Sequence, residues 1–497
     1  MVYSSHAFLL IFLPIVFSIY FYLTKKKSSL IQIFIIISSI IFYCFFSYWN
    51  FFVLLSSIIF NFLISKKVKK KIFLYISIFI NLIFLGFFKY NSAFIFLGNY
   101  YLDTNVGALN IILPLAISFF TLQQIAYQFD IHFNVIKPCK KFTKYFLFVS
   151  FFPQLIAGPI VHYYEVEKRY ENKNHYNFPS KERIFGLILF IIGLSKKVLI
   201  ADQIDFYSDL LFDGLLNSNL PAPTFIPSWV NTIMYSFQLY FDFSGYSDMA
   251  VGLGMMFGVL LPFNFLSPFK AVSIVDFWSR WHITLSNFIN LYVFSNILRT
   301  YGASFFVILF STFFSFLLIG VWHGPKMNYV YFGLIQALLI IAYRIYTEIK
   351  RYLKFPNINK YFAIMITFLS INFSLIFFRA DNTDIALSIL CGMLGMNGMG
   401  FEAQYFDRLY VFKYLYMFIG GFPDPNPTYY FYGLRNLLYL IPLAIIVFLL
   451  PNSKEIIVYI KKYYERNVIK LGLFYGILFF LSIIGITEVK EFIYFQF

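Results

Sequence analysis

Apolar runs of about twenty residues, enough to cross a bilayer, recur from one end of this chain to the other. Hydrocarbon offers no water to an unpaired N–H or C=O, so each run has to satisfy its backbone internally, as a helix does. The clearer runs lie near 8–24, 30–48, 50–65, 72–89, 108–128, 184–200, 228–258, 302–322, 328–348, 361–378, 433–450 and 470–486. Several neighbours merge. The sequence therefore predicts an all-α polytopic membrane protein with about eleven transmembrane helices plus re-entrant or amphipathic segments. Composition agrees, because charged residues make up 12% of the 497, against about a quarter in a soluble chain.

The net charge of +16 does not point to nucleic acid. Lysines gather in short runs between the apolar segments, at Lys25 to Lys27, Lys66 to Lys71 and Lys137 to Lys144. Such runs orient helices by the positive-inside rule and rest against anionic headgroups, so the partner they imply is the lipid bilayer. The run MVYSSHAFLLIFLPIVFSIYFYL has no basic residue before it and lysines after it. It reads as an uncleaved first span with its N-terminus outside. Cys44, Cys139 and Cys391 are widely separated and suit packing better than a disulfide or a metal site.

Residues 145–162 are apolar but broken by Pro153, Gly158 and Pro159. Irregular backbone at membrane depth has to be buried in protein or line a cavity, so this segment is expected to be re-entrant. The longest polar stretches, about 163–182 and 399–430, read as loops, and no linker divides the chain. One domain is expected over 1–497, with a core at about 108–350 and further helices at about 360–497. No pair of matched broken helices suggests a transporter of inverted repeats.

Three polar constellations interrupt this background. YFDFSGYSDMAVG places Asp242, Tyr246 and Asp248 inside an apolar stretch, with Gly245 and Gly252 allowing close backbone packing. Two carboxylates there either hydrogen-bond across helices or line a cavity. In DFWSRWHITLSNFINLYVF, a helix would put Trp278, Trp281 and His282 on one side. The tryptophans could equally be interfacial anchors. The third constellation is Trp322-His323-Gly324, closing an apolar run, with Asn328 on the next span. An imidazole at that depth is either a structural hydrogen-bonding group or a general base. The spacing of the two histidines matches no short zinc motif, and no metal is expected. No GxSxG elbow, Walker loop or GxGxxG is present, and Ser247 is not a credible nucleophile.

Eight motifs in order carry a family resemblance: MVYSSHAFLLIFLPI, LPLAISFFTLQQIAYQFD, FFPQLIAGPIV, IGLSKKVLIAD, YSFQLYFDFSGYSDMAVGLGMMFG, DFWSRWHITLS, GVWHG and IFFRADNTDIAL. With them the chain resembles the membrane-bound O-acyltransferase family, in the bacterial branch typified by the alginate O-acetylation membrane protein. The resemblance implies a helical bundle around a central tunnel, with His323 as the family's invariant histidine and His282 as its second characteristic position. It implies no bound cofactor. It also implies an acetyl group drawn from a cytoplasmic thioester such as acetyl-CoA and passed across the bacterial cytoplasmic (inner) membrane. A separate extracytoplasmic esterase-like partner of the SGNH type would then place that group on a polysaccharide.

On this reading His323 is a general base, and His282 orients the reactants or steadies the oxyanion. Trp278, Trp281 and Trp322 exclude water, and Asp242, Tyr246 and Asn328 are candidates for holding substrate. Asn290 and Leu291 stand where family members commonly carry an Arg-Asp pair. Alternatives are D-alanyl transfer to teichoic acid, for which FFRADNTDIAL and the chain length are less suited, a transporter of polysaccharide or lipid-linked sugar, and an idle scaffold.

Overall fold

The computed structural model describes residues 2–102, 113–156, 158–170, 178–204, 222–354, 358–398 and 432–488, with 107, 212, 215, 356, 490, 492 and 493 besides. Among these residues every regular element is helical. The helices that carry the argument are α1 (Ala7–Lys25), α2 (Ile31–Cys44), α3 (Tyr48–Ser65), α4 (Lys71–Leu102), α5 (Ile117–His132), α6 (Phe142–Ser150) and α7 (Ser180–Ile204). They continue with α8 (Phe225–Met256), α9 (Phe305–His323), α10 (Met327–Leu353), α11 (Lys360–Arg379), α12 (Thr383–Met393), α13 (Tyr432–Phe448) and α14 (Ser453–Ile484). The protein is an all-α polytopic membrane protein.

Eight helices among the described residues are long and apolar enough to cross a membrane: α1, α3, α4, α7, α9, α10, α11 and α14. The runs read from the sequence also took in α2, α5 and α13, which are short at 14, 16 and 17 residues, and α8, which is too polar to qualify by hydropathy. The polar loop expected at about 399–430 lies outside the described residues.

α8 explains its own polarity. It is the central helix, buried over nearly all of its 32 residues, so none of its faces has to be apolar for lipid. α7 packs along it with backbone against backbone. A Cβ on Gly193 would lie 2.5 Å from the carbonyl oxygen of Gly245, and one on Gly245 would lie 2.7 Å from that of Gly193. Two turns away Gly252 meets Gly186 in the same way, at 2.5 Å. The small residues singled out in the sequence therefore close the central helix pair.

Ion pairs lock the same two helices. Lys197 Nζ reaches Asp242 at 2.5 Å and Asp202 at 2.8 Å, and Lys196 Nζ reaches Asp248 at 2.7 Å. Ser453, at the start of α14, donates to Asp248 at 2.5 Å and brings the C-terminal helix into the network. Of the two expectations for the carboxylates, the structure supports bonding across helices.

The broken segment at 145–162 is buried, as expected, and its backbone is satisfied by side chains from elsewhere. Phe152 N–H donates to Ser39 Oγ at 3.1 Å, and Tyr3 OH donates to the Phe152 carbonyl at 2.6 Å. Gln123 Nε2 donates to the Phe148 carbonyl at 3.1 Å, and Ile160 N–H donates to Thr284 Oγ1 at 3.1 Å. Four partners from distant positions replace the ladder that a continuous helix would supply.

Gly245→Val is expected to force α7 from α8, because backbone oxygen rather than a flexible side chain occupies the space. Overpacking of this kind costs on the order of 1–3 kcal/mol. A thermal melt of the detergent-solubilised protein should show a lower midpoint than wild type, and an unchanged midpoint would mean the helices are not in contact.

Candidate active site

His323 is the last residue of α9, and α10 fixes its position. A Cβ on Gly333 of α10 would lie 2.5 Å from the Phe316 carbonyl, and one on Gly320 would lie 2.5 Å from that of Tyr329. With the two backbones in contact, the end of α9 cannot drift. The His323 ring is buried, with Phe378 edge-on at 4.9 Å, Trp322 at 4.9 Å and Phe332 at 6.0 Å.

One side of that ring opens on a cavity of about 60 Å³, lined by His323, Trp322, Phe119, Ser118, Lys89 and the turn before α5. That is room for a few water-sized groups. The turn holds Ala116 in the left-handed region, at φ 63° and ψ 13°. A non-glycine residue there costs about 1–2 kcal/mol. Tyr43 OH, donating to the Leu115 carbonyl at 2.6 Å, helps hold the turn in place.

His282 is also buried and also left-handed, at φ 43° and ψ 52°. It stands between a short helix, Ile274–Trp278, and a second, Ile283–Ile289. Asn264 Oδ1 organises this corner. It accepts from Thr284 N–H and Thr284 Oγ1, both at 3.1 Å, and lies 3.3 Å from His282 Nδ1. His282 lies outside the spanning helices, and burial pushes its conjugate acid down to about 3, which leaves a neutral imidazole.

Two histidines 41 positions apart are linked through two aromatic rings. Phe119 lies 6.4 Å from His282 and 6.0 Å from Trp322, which in turn abuts His323. Ala116 lines the cavity and His282 stands behind Phe119, and left-handed backbone at such positions clusters at functional sites.

The remaining expected residues divide. Trp281 reaches His282 by a chain of ring contacts through Phe265, at 5.1 Å, and Phe243, which is 4.8 Å from His282. Trp278 faces away, with Nε1 donating to Gln336 Oε1 at 3.0 Å. The expectation of one helical face for Trp278, Trp281 and His282 is therefore corrected. A turn at Ser279 and the left-handed His282 break that helix and separate the tryptophans. Asp242 is held by Lys197, and Tyr246 is stacked between Tyr3 at 4.7 Å and Phe492 at 4.8 Å. Asn328 Nδ2 donates to the Ala380 carbonyl at 2.8 Å and ties α10 to the end of α11. Those three hold helices together and do not line the cavity. Asn290 begins a wide helical turn, Asn290–Phe294, where the Arg344 guanidinium of α10 lies 5.3 Å from the Phe294 ring.

Sequence reasoning missed Lys89, Ser118 and Asn264 at the site and Lys196 and Lys197 beneath it. For Lys89 a signal existed, a lone cation in an apolar run, but ending the span at 89 placed it at a boundary. The helix runs on to Leu102 and carries Lys89 inside.

The comparisons with known proteins agree with this arrangement. The family model of the membrane-bound O-acyltransferases matches residues 140–379, a stretch that holds both histidines. A peptidoglycan O-acetyltransferase of Helicobacter pylori is 37% identical over 432 residues, covering 80% of this chain and 81% of that protein. A protein of Pseudomonas aeruginosa named a probable alginate O-acetylase is 30% identical over 402 residues, covering 78% and 73%. A teichoic acid D-alanyltransferase of Bacillus subtilis is 28% identical over 279 residues, covering 52% and 67%. A multi-pass helical protein with a buried histidine beside a small cavity is thus placed among membrane-bound enzymes that transfer acyl groups. The chain belongs to the membrane-bound O-acyltransferase family, and it is an O-acyltransferase that uses an acyl donor.

Lys197→Met is expected to leave the buried Asp242 and the part-buried Asp202 carboxylates around a methyl group. Breaking a buried pair on one side costs about 3–5 kcal/mol. Expression and melting temperature should both fall. If the variant melted like wild type, the ion pair would not be holding α7 to α8.

Proposed function

We propose that this enzyme takes an acetyl group from a cytoplasmic thioester, acetyl-CoA or a similar donor, and passes it across the bacterial inner membrane for O-acetylation of an extracytoplasmic polysaccharide. An esterase-like partner of the SGNH type completes the transfer outside. The observation that carries this reading is the buried His323 imidazole lining a small cavity, in a chain 37% identical to a peptidoglycan O-acetyltransferase.

His323 is the general base. As an acceptor hydroxyl attacks the acyl carbonyl carbon, His323 takes the hydroxyl proton, and it returns that proton to the leaving thiolate when the carbon–sulfur bond breaks. His282, held by Asn264 and neutral, orients the reactants. Trp322 and Phe119 wall the cavity, and keeping water out favours transfer over hydrolysis of the thioester. Trp278, Asp242, Tyr246 and Asn328 act at a distance, through the helices they hold. The core at about 108–350 carries both histidines and most of the cavity wall, Lys89 supplies the rest, and the helices beyond 360 support it.

His323→Ala, expressed at the wild-type level in lipid vesicles, should lower acyl transfer from radiolabelled acetyl-CoA to a co-reconstituted extracytoplasmic partner by about 10²–10⁴-fold. Transfer at the wild-type rate would remove His323 from the mechanism. The D-alanyl reading has a more distant relative behind it, at 28% identity over 52% of the chain. Identifying the acyl group on the surface polymer by mass spectrometry separates the two.

A further inference from the structure

Lys89 and Tyr90, adjacent on α4, both reach the C-terminus of α9. Lys89 Nζ donates to the Trp322 carbonyl at 2.6 Å, and Tyr90 OH donates to the carbonyl of Val321 and, at 3.2 Å, to that of Gly324. The last carbonyls of a helix have no partner within it, and a cation there also suits the helix dipole. These three carbonyls flank His323. One pair of side chains on a neighbouring helix therefore caps the turn that presents the base.

Capping alone does not require a lysine in this place. A tyrosine next to it does the same work without carrying a charge into an apolar bundle, where a cation is costly. The second face of Lys89 supplies the reason. Its side chain lines the same cavity as His323, buried to 8% exposure, and its ammonium has three donors. Two of these meet protein acceptors, the Trp322 carbonyl and, at 3.4 Å, Ser118 Oγ. The Trp322 indole lies 5.5 Å from Nζ on another side. One N–H is thus left for a group inside the cavity, in a wall that offers no carboxylate to neutralise it.

We propose that Lys89 stabilises the oxyanion of acyl transfer, in addition to fixing the turn that carries His323. The proposal rests on the acyl-transfer reading above. The acceptor oxygen bonds to the carbonyl carbon, its proton passes to His323, and the carbonyl π electrons move onto the carbonyl oxygen. That oxygen carries the new negative charge and lies beside the Lys89 ammonium. When it collapses, the C=O bond re-forms, the C–S bond breaks, and the thiolate takes the proton from His323. A fixed cation beside the carbonyl oxygen stabilises the charge that appears only in the transition state, so its contribution falls on kcat rather than KM.

The test compares wild type, Lys89→Met and Lys89→Gln in lipid vesicles with radiolabelled acetyl-CoA and the extracytoplasmic partner, recording kcat, KM and melting temperature. Loss of one oxyanion donor is expected to lower kcat by about 10²–10³-fold. KM should stay within about threefold and the melting temperature within a few degrees, because Tyr90 keeps part of the cap. Wild-type kcat in either variant overturns the proposal. So does a loss confined to KM, or a collapse of melting temperature in both variants, since each leaves Lys89 as a helix cap only. A wild-type enzyme that consumes no donor would instead overturn the acyl-transfer reading itself.

Discussion

The fold depends on one requirement, that each polar group taken out of water must meet another inside the protein. α8 shows how far this shapes the structure. Its two carboxylates face two consecutive lysines on α7, and the glycines between them bring the helices close enough for short ion pairs. A lipid-facing helix with this composition would be unstable in a bilayer. Enclosure by α7 and the C-terminal helices makes it the centre of the molecule. The broken segment at 145–162 follows the same rule, with its backbone satisfied by Ser39, Gln123, Tyr3 and Thr284.

The site is assembled from what remains after those demands are met. α9 ends at His323, a residue whose own turn has no helical partner for its carbonyls, and α4 supplies one. His282 stands in a loop pinned by Asn264 to Thr284, and Thr284 in turn holds Ile160 of the broken segment. The two histidines thus belong to separate supports that meet at Phe119 and Trp322. Each support is rigid by itself, and backbone strain at Ala116 and His282 is tolerated because the surroundings leave no alternative.

Much of this was legible in the sequence, and the limits have physical causes. Helix class, the burial of the broken segment and the role of Gly245 follow from period, length and the cost of polar groups in hydrocarbon, and the same cost singles out His323 as a candidate, while His282 owes its place to the resemblance as well. The partners of Asp242 and Asp248 did not follow, because a lysine pair in IGLSKKVLIAD looks the same whether it faces headgroups or carboxylates. Asn264 carried no signal, since a lone asparagine in LPFNFL has no period to fit. The grouping of Trp278, Trp281 and His282 failed because spacing presumes a continuous helix, and a left-handed residue ends one without any glycine or proline to announce it. Lys89 was misplaced by treating a charge as the end of a span, when a charge inside a span is the more informative case.

The contact between Gly193 and Gly245 also limits how the helices can move against each other. Two helices touching backbone to backbone, with ion pairs on either side, have a single way to pack. Rocking one against the other would pull carbonyl oxygens from glycines and strand charged groups in a medium that cannot solvate them. The centre of this molecule is therefore a fixed partition and not a hinge. Any motion the enzyme makes has to be carried by the helices outside this pair, which move around it as around a single body.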